Sequence, residues 1–187
     1  MEKIINYFNQ IGISEAELQP FLSKLTCKSF PAGSFIVTSG QTDNYMSFLN
    51  SGLIRYFVQT EAKESTFDFV LPNSFYCHYD SFHTRHSTRF TSQAILNSEV
   101  TRIHSDDLIE LYTTCKYAKD LTRIALERLL ENKVKREISL LVDTPEQRYL
   151  KLIAKKPELI QLIPQKYLAT YLGIVPETLS RIRRRIS

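Results

Sequence analysis

Hydrophobic and polar positions change their spacing twice along this chain of 187 residues. Apolar residues recur at helical spacing over residues 1–25, fall in short runs between turn residues over residues 28–104, and return to helical spacing afterwards. A period near 3.6 residues indicates amphipathic helices, and short runs bounded by Gly, Pro, Asn and Ser are typical of an antiparallel sandwich or barrel. The pattern predicts an α+β protein with an N-terminal antiparallel β-roll, of the jelly-roll kind, between helices.

Two short helices are predicted at the N-terminus, where packing is the expected role. Ser14 followed by Glu17 has the spacing of a capping box, which starts the second helix. The apolar stripes of the two helices are Ile4, Ile5, Phe8 and Ile11, and then Leu18, Phe21, Leu22 and Leu25.

The β-roll is predicted from apolar runs separated by turn signals such as Pro31–Gly33 and Ser39–Gly40. A solvent-excluded interior of such a roll is a natural pocket for a small molecule. The expected strands are Ser34–Val37, Tyr45–Leu49, Leu53–Gln59, Thr66–Val70, Thr88–Ile95 and Val100–Ile103, followed by a short helix over Asp106–Tyr112.

A long helix is predicted over Tyr117–Val142, which contains neither Gly nor Pro. At 1.5 Å per residue this helix is roughly 39 Å long. Its apolar surface exceeds what one small body can cover, so two copies are expected to pack side by side in a dimer. The alternative is a helix buried within its own subunit. The expected dimer-interface residues are Leu121, Ala125, Leu126, Leu129, Leu130, Val134, Ile138 and Leu141.

Residues Ile163–Ser187 predict two short helices joined by a tight turn. Gly173 stands where the first helix must stop and positive φ is favoured, and Pro176 opens the second helix, where its missing N–H costs nothing. This spacing is the one that a helix-turn-helix requires. Before it, Pro145–Lys155 predicts a helix and Leu159–Ile163 a strand or extended segment. The expected contacts between the two helices come from Leu168, Ala169, Leu172, Ile174, Leu179 and Ile182.

Positive charge is concentrated at the same end of the chain. The whole chain has 24 basic and 20 acidic residues, but the part from Arg148 onward has nine basic and two acidic residues, a net charge of +7. Arginines and short polar groups on a presented helix are suited to base edges and phosphates, so this end predicts DNA binding. The alternative is a helical hairpin that only closes a core. The residues expected to be exposed on the second helix are Glu177, Thr178, Ser180, Arg181, Arg183, Arg184 and Arg185.

The order of these parts resembles the superfamily of the cyclic-AMP receptor protein and the fumarate–nitrate regulator (Crp/Fnr). The run Leu168-Ala169-x-Tyr171-Leu172-Gly173-Ile174-x-Pro176-Glu177-Thr178-Leu179-Ser180-Arg181 is close to the recognition sequence of that family. Phe30-x-Ala32-Gly33, Ser39-Gly40 and Ser51-Gly52-x-Ile54-Arg55 are similar to its strand and turn pattern. The resemblance implies a cyclic-nucleotide-binding-like roll, a long dimerisation helix and a C-terminal helix-turn-helix of the winged-helix type.

The resemblance also implies how DNA is contacted. Glu177 and Arg181 match base-contacting positions, and the serine and threonine hydroxyls match backbone contacts. Pro176 stands where the family often has an arginine that reads a base, and it cannot donate a hydrogen bond. The expected DNA-binding residues are Gln165, Lys166, Tyr171, Pro176, Glu177, Thr178, Ser180, Arg181, Arg184 and Arg185.

The ligand motifs of the family are not matched. Its cyclic-nucleotide binders hold the ribose with a Gly-Glu pair and the phosphate with an Arg-Ser/Thr pair, whereas the corresponding regions here read Phe75-Tyr76-Cys77-His78 and Thr88-Arg89-Phe90-Thr91. A buried phosphate without such donors is costly, so cyclic AMP is not the expected effector. Arg89 is either a ligand for another anion or a plain surface arginine. The candidate effector pocket is Phe75, Tyr76, Arg89 and Thr91, and the effector is an unknown small molecule.

The sequence predicts no cofactor, no metal and no enzyme activity. Three scattered cysteines, Cys27, Cys77 and Cys115, favour reduced thiols in a cytoplasmic protein and cannot supply the four thiolates of an iron–sulfur cluster. Nothing in the sequence requires haem. Five residues of types that can bind metal ions lie within ten positions, and a polar loop joining two strands accounts for this cluster. They are Cys77, His78, Asp80, His83 and His86. No apolar run is long enough for a membrane span.

The sequence therefore predicts a homodimeric, sequence-specific DNA-binding regulator of transcription. The expected domains are residues 1–115, the helices and sensor roll; residues 116–143, the dimerisation helix; and residues 144–187, the helix-turn-helix. The expected partners are double-stranded DNA, a second copy of the chain, a small-molecule effector and RNA polymerase, with no membrane. The alternative is a small-molecule or cyclic-nucleotide-binding module whose C-terminal helices mediate protein contacts.

Overall fold

The computed structural model describes residues 2–10, 12–115, 117–155 and 157–186. The helices in this part of the chain are α1 Glu2–Asn9, α2 Glu15–Leu22, α3 Tyr79–Phe82, α4 Ser105–Thr114, α5 Ala118–Val142, α6 Pro145–Lys155, α7 Pro157–Leu162, α8 Gln165–Leu172 and α9 Pro176–Ile186. The strands are β1 Thr26–Phe30, β2 Phe35–Val37, β3 Tyr45–Ser51, β4 Ile54–Gln59, β5 Glu64–Val70, β6 Ser74–Tyr76, β7 Thr91–Ala94 and β8 Ser98–His104.

The strands form two four-stranded sheets, in the orders β1-β8-β3-β6 and β2-β7-β4-β5. β8 is antiparallel to both β1 and β3, and β3 is antiparallel to β6. The predicted α+β fold with antiparallel sheets is confirmed. Each of the six predicted strands has a counterpart, but β1 and β6 were not predicted. β1 has four exposed residues in succession, and β6 is three residues long, so neither has the alternation that identifies a strand.

The described residues fall into two compact units. The first contains the residues up to Tyr56 together with Phe69–Leu126. The second contains Phe57–Asp68 together with the described residues from Glu127 onward.

The core of the first unit lies between α1, α2, α4 and one face of the sheet that contains β3. Tyr7 of α1 meets Phe48 and Phe75 edge to face, with ring centroids 5.6 and 5.3 Å apart. The capping box is present, since the Glu17 carboxylate accepts a hydrogen bond from the Ser14 N–H at 3.0 Å. The predicted stripe residue Ile11 lies outside the described residues. The most buried core residues include Ile4, Phe8, Leu18, Phe21, Phe48, Ile103, Leu108 and Leu111.

The second unit contains a correction to the predicted secondary structure. Leu159–Ile163 is not a strand or extended segment, because α7 covers Pro157–Leu162. The side chain of Leu159 lies outside the part of the chain that the structure describes. Pro157 is the first residue of this helix, where proline is favoured. Ile160 and Ile163 are buried three residues apart, which is a helical spacing. The predicted segment was too short for its period to separate strand from helix.

Candidate nucleic-acid interface and roll interior

The turn between α8 and α9 depends on Gly173. Its φ is +73°, in the left-handed region that other residues rarely adopt. The Gly173 N–H donates to the Thr170 carbonyl at 3.1 Å and the Ile174 N–H to the Ala169 carbonyl at 3.0 Å, which closes the end of α8. Pro176 is the first residue of α9. The turn predicted from Gly173 and Pro176 is confirmed.

Apolar and polar contacts hold α8 against α9. The Gln165 side-chain amide donates to the Pro176 carbonyl at 2.9 Å and to Ser180 Oγ at 2.5 Å. These contacts use Gln165 and Ser180, two predicted DNA-binding residues, inside the pair of helices. The buried apolar residues of this pair are Leu168, Ala169, Leu172, Leu179 and Ile182.

The exposed face of α9 carries Glu177, Arg181 and Arg184, spaced four and then three residues apart. These three side chains lie on one side of the helix, away from buried Leu179 and Ile182. The other predicted residues of this surface vary in exposure. Lys166 and Arg185 are exposed, Pro176 and Thr178 are half-buried, and Arg185 pairs with Glu146 at 3.1 Å.

Thr178, Ser180 and Arg183 were predicted to be exposed on α9, but all three are half-buried. Arg183 Nε donates to the Tyr149 hydroxyl on α6 at 3.0 Å. The helical period places Arg183 one turn from Leu179, next to the buried side of α9. Arg183 therefore joins α9 to α6.

Tyr171 lies beneath a guanidinium group. The Arg136 guanidinium is 3.7 Å from the centre of the Tyr171 ring, and burial raises the pKa of the Tyr171 phenol. Arg136 Nη2 also donates to the Tyr171 carbonyl at 2.5 Å. A contact between Tyr171 and DNA stays a prediction.

Arg136 and Arg148 contact the last turn of α8, and neither was among the residues predicted from the sequence. Arg148 donates from Nε and Nη2 to the Leu172 carbonyl, at 3.0 and 2.8 Å. The carbonyls in the last turn of a helix lack intrahelical donors, and basic side chains often satisfy them. The sequence shows a need for such donors at the end of α8 but not which arginines supply them.

The long helix α5 exposes an apolar stripe. The exposed fractions are 65% for Leu130, 46% for Val134, 52% for Ile138 and 80% for Leu141. Of the other predicted interface residues, Ala125, Leu126 and Leu129 are half-buried, and the side chain of Leu121 lies outside the described set.

The four residues of the candidate effector pocket are not brought together in one cavity wall. Phe75 points into the helical core, where it packs on Tyr7 and Phe48, whereas the next residue of β6, Tyr76, points to the opposite face. Tyr76 is buried, and burial raises its pKa. Thr91 Oγ1 accepts from the Ser39 N–H at 3.1 Å, and Arg89 is exposed.

Buried His78 is paired with a carboxylate. Asp43 Oδ2 lies 3.1 Å from His78 Nδ1 and accepts from the His78 N–H at 2.9 Å, while Asp43 Oδ1 accepts from the Tyr45 N–H at 3.0 Å. The imidazole stacks on Phe90, with centroids 4.5 Å apart, and meets Tyr56 edge to face. The carboxylate and the rings fix the imidazole in one orientation.

Asp80 holds other polar groups of the segment 77–91. Asp80 accepts from Thr88 Oγ1 at 3.0 Å and from the Arg89 N–H at 3.3 Å. Cys77 is buried, which raises its pKa, whereas His83 and His86 are exposed. In the part of the chain that the structure describes, no three Cys, His, Asp or Glu residues are grouped to hold a metal ion.

Comparison with known proteins identifies the class of the roll. Residues 27–115 match the family model of the cyclic nucleotide-binding domain. Comparison with curated proteins finds no match. Among the helices of the described residues, none is both long and apolar enough to cross a membrane.

Solved structures extend the similarity beyond the roll. FixK2 from Bradyrhizobium japonicum has a TM-score of 0.75 at 15% identity, over 87% of this chain and 84% of that one. A putative transcriptional regulator of the Crp/Fnr family from Eubacterium rectale has a TM-score of 0.73 at 14% identity, over 96% and 87% of the two chains. The c-di-GMP-responsive global regulator CLP from Xanthomonas campestris has a TM-score of 0.69 at 14% identity, over 91% and 90%. At these identities the structures show that this chain shares the fold of these regulators, which agrees with the resemblance that the sequence predicts.

Proposed function

We propose that the protein is a sequence-specific DNA-binding regulator of transcription that acts as a homodimer. The observation that carries the proposal is the exposed face of α9, where Glu177, Arg181 and Arg184 follow one another along one side of a helix that α8 supports. Two helices joined in this way are the DNA-reading unit of many regulators, with the second helix in the major groove.

The side chains on this face suit both parts of DNA recognition. Arginine binds guanine edges or phosphates with two parallel hydrogen bonds, and a glutamate accepts from the amino group of cytosine. Pro176 leaves the first position of α9 without a side-chain donor, so base reading falls to the residues that follow it. We assign Glu177 and Arg181 to the bases and Arg184 to the phosphates.

The exposed stripe on α5 supports the dimer. Leu130, Val134, Ile138 and Leu141 recur every three or four residues, which is the spacing of a helix-helix seam. Full burial of one such side chain contributes roughly 1.5–3 kcal/mol. A dimer of this kind would bind two half-sites about 34 Å apart, one turn of DNA.

The proposed effector site does not take a cyclic nucleotide. A cyclic phosphate needs buried cationic or N–H donors. The regions that match the ligand motifs of the family contain one arginine, Arg89, whose side chain is exposed and whose backbone N–H already donates to Asp80. The nearby Asp43 carboxylate is buried beside His78. A regulator with this roll either takes another ligand or binds DNA without one.

Selection of bound DNA from a random pool tests the proposal directly. The purified chain without added ligand is expected to enrich an inverted repeat with half-sites about one helical turn apart. Arg181→Ala should then weaken binding to the selected site by about 1–3 kcal/mol and relax its sequence preference. Arg123→Ala is the matched control, because Arg123 forms a long surface ion pair with Asp120 at 3.7 Å and lies on α5.

Enrichment of one sequence together with an Arg181 effect would support the proposal. If nothing is enriched with or without a metabolite extract, or if both arginine variants behave like the wild type, the protein is a binding module of another kind.

The dimer has its own test. Val134→Glu with Ile138→Glu places charges in the proposed seam and should give a monomer by light scattering, with loss of binding to the paired site. Asn132→Glu adds one such charge at an exposed position of α5 outside the stripe and should leave the dimer intact. A wild-type monomer at micromolar concentration would refute the seam.

A further inference from the structure

Arg136 of α5 lies where three elements of the second unit meet. Its Nε donates to the Phe67 carbonyl on β5 at 2.9 Å, and its Nη2 donates to the Tyr171 carbonyl on α8 at 2.5 Å. The same guanidinium lies 3.7 Å from the centre of the Tyr171 ring. One side chain of α5 therefore contacts both β5 and the last turn of α8.

The Tyr171 carbonyl needs a donor from outside its helix. Gly173 and Ile174 satisfy the carbonyls of Thr170 and Ala169, but the next two carbonyls of α8 lie beyond these turn contacts. Arg136 takes the carbonyl of Tyr171, and Arg148 takes that of Leu172. Positive charge is also favourable at this end of a helix dipole. Arginines from α5 and α6 thus complete the C-terminal end of α8.

The hairpin Phe57–Asp68 reinforces the junction. The Thr66 N–H on β5 donates to Thr170 Oγ1 on α8 at 3.1 Å. Lys133, three residues before Arg136 on α5, reaches the hairpin: it pairs with Asp68 and lies over the Phe67 ring. Lys133 and Arg136 are thus neighbouring cations of one helix, and Arg136 is the one that contacts α8.

We propose that Arg136 is a positioning residue for DNA binding, which fixes α8, and with it the reading helix α9, onto the helix that carries the dimer seam. The proposal rests on the DNA-binding function proposed above. Two recognition helices must be held at a set separation to occupy successive half-sites. If α8 moves freely against α5, ordering that motion on binding costs affinity.

Binding assays on the selected DNA site compare three variants with the wild type. Arg136→Ala should lower affinity roughly ten- to hundredfold, since it removes charge-assisted hydrogen bonds that preorganise the site. The affinity of Arg136→Lys should lie between those of the wild type and Arg136→Ala, because lysine keeps the charge but has neither the planar guanidinium nor its stacking on the ring. Lys133→Ala is the control. It removes the same charge one turn away and should change affinity by no more than about threefold, as expected for a partly exposed ion pair.

The salt dependence of binding separates positioning from direct contact. Arg136→Ala should leave the slope of log affinity against log salt unchanged, whereas loss of a phosphate contact reduces the slope by about one. Amide hydrogen exchange should become faster in α8 of Arg136→Ala. Tyr171→Leu combined with Arg136→Ala should lose less affinity than the two single variants added together, because both remove the same contact.

The outcomes are distinct. A wild-type chain that binds no DNA refutes the proposed function, and this inference with it. If the wild type binds DNA and both Arg136→Ala and Arg136→Lys bind it with the affinity of the wild type, the inference alone is refuted. A reduced salt slope for Arg136→Ala, or tighter DNA binding by this variant, refutes it as well. If Arg136→Ala unfolds, Arg136→Lys and the Tyr171→Leu variant carry the test, and unchanged binding by both overturns the proposal.

Discussion

Polar side chains are used in opposite ways in the roll segment 77–91 and in the helix α9. In the roll, His78 is fully buried and faces Asp43, while Asp80 accepts from Thr88 and from the backbone of Arg89. On α9, Arg181 and Arg184 are exposed. Buried polar groups contribute to stability through the partners that they already have, whereas exposed charges remain available to a ligand. The comparison shows that the Asp43–His78 pair of the roll is structural, whereas Arg181 and Arg184 of α9 are directed outward.

The sharpest test of this difference reverses a charge on α9. Arg184→Glu should weaken DNA binding by more than 1–3 kcal/mol, roughly the loss expected for removing one such contact, because it also adds repulsion from phosphate. Its free energy of unfolding should stay within about 0.5 kcal/mol of the wild type, as for other surface changes. Binding isotherms and urea unfolding measure the two quantities. A large loss of stability would show that Arg184 has a structural role, and the contrast between α9 and the roll segment would then not hold.

The converse change is made in the roll. Asp43→Ala leaves the His78 and Tyr45 N–H groups without their acceptor and should lower the free energy of unfolding by roughly 2–5 kcal/mol. Urea unfolding gives the value, and Asp80→Ala serves as a comparison because Asp80 is only half-buried. If Asp43→Ala is as stable as the wild type, the buried pair does not hold this segment.

A smaller effect is expected at the turn between α8 and α9. Gly173→Ala should lower the free energy of unfolding by about 1–2 kcal/mol, because alanine is strained at a φ of +73°. Space is not the cause, since a Cβ there would be 3.7 Å from Arg148 Nη2. Thermal unfolding measures the change, and no loss would mean that the backbone relaxes out of the left-handed region.

The smallest effect concerns pH. Hydrogen bonds from Lys151 and Ser139 hold the pKa of the Asp143 carboxyl below its ordinary value of 3.8. Because the folded-state pKa is lowered, the contribution of Asp143 to stability is complete above about pH 3.8 and is lost as the pH falls through the folded-state value. The wild type should therefore exceed Asp143→Asn in stability at pH 7, and the difference should shrink on acidification. A difference that stays constant down to pH 2 would contradict the assignment.

The elements that were predicted correctly depend on neighbours close in the chain. Ser14 and Glu17 form their capping box three residues apart, and Gly173 with Pro176 specifies the turn before α9. The long helix was predicted over Tyr117–Val142 and is observed over Ala118–Val142, because no Gly or Pro interrupts it. Each of these signals is local, so the surrounding fold does not change its meaning.

The predictions that failed concern partners or short segments. Nothing near Arg183 in the sequence indicates that Tyr149, 34 residues earlier, accepts its hydrogen bond. α7 was mistaken for an extended segment because five residues do not define a period. The contact between Tyr171 and DNA stays a prediction, but the sequence likewise did not show that Arg136 covers the Tyr171 ring.

By itself the sequence determined the extent of the long helix to within one residue, the turn between α8 and α9, that β-strands precede the long helix, and that α9 is basic. These properties follow from backbone conformation, side-chain period and composition, which act within a few residues. Only the tertiary structure decided which charged groups are paired within the protein and which remain exposed. The Asp43–His78 pair joins residues 35 apart, and Arg136 meets the Tyr171 carbonyl across the same number of residues. Such pairs form when packing brings separate elements together, and the partner of a buried charge is therefore a property of the fold.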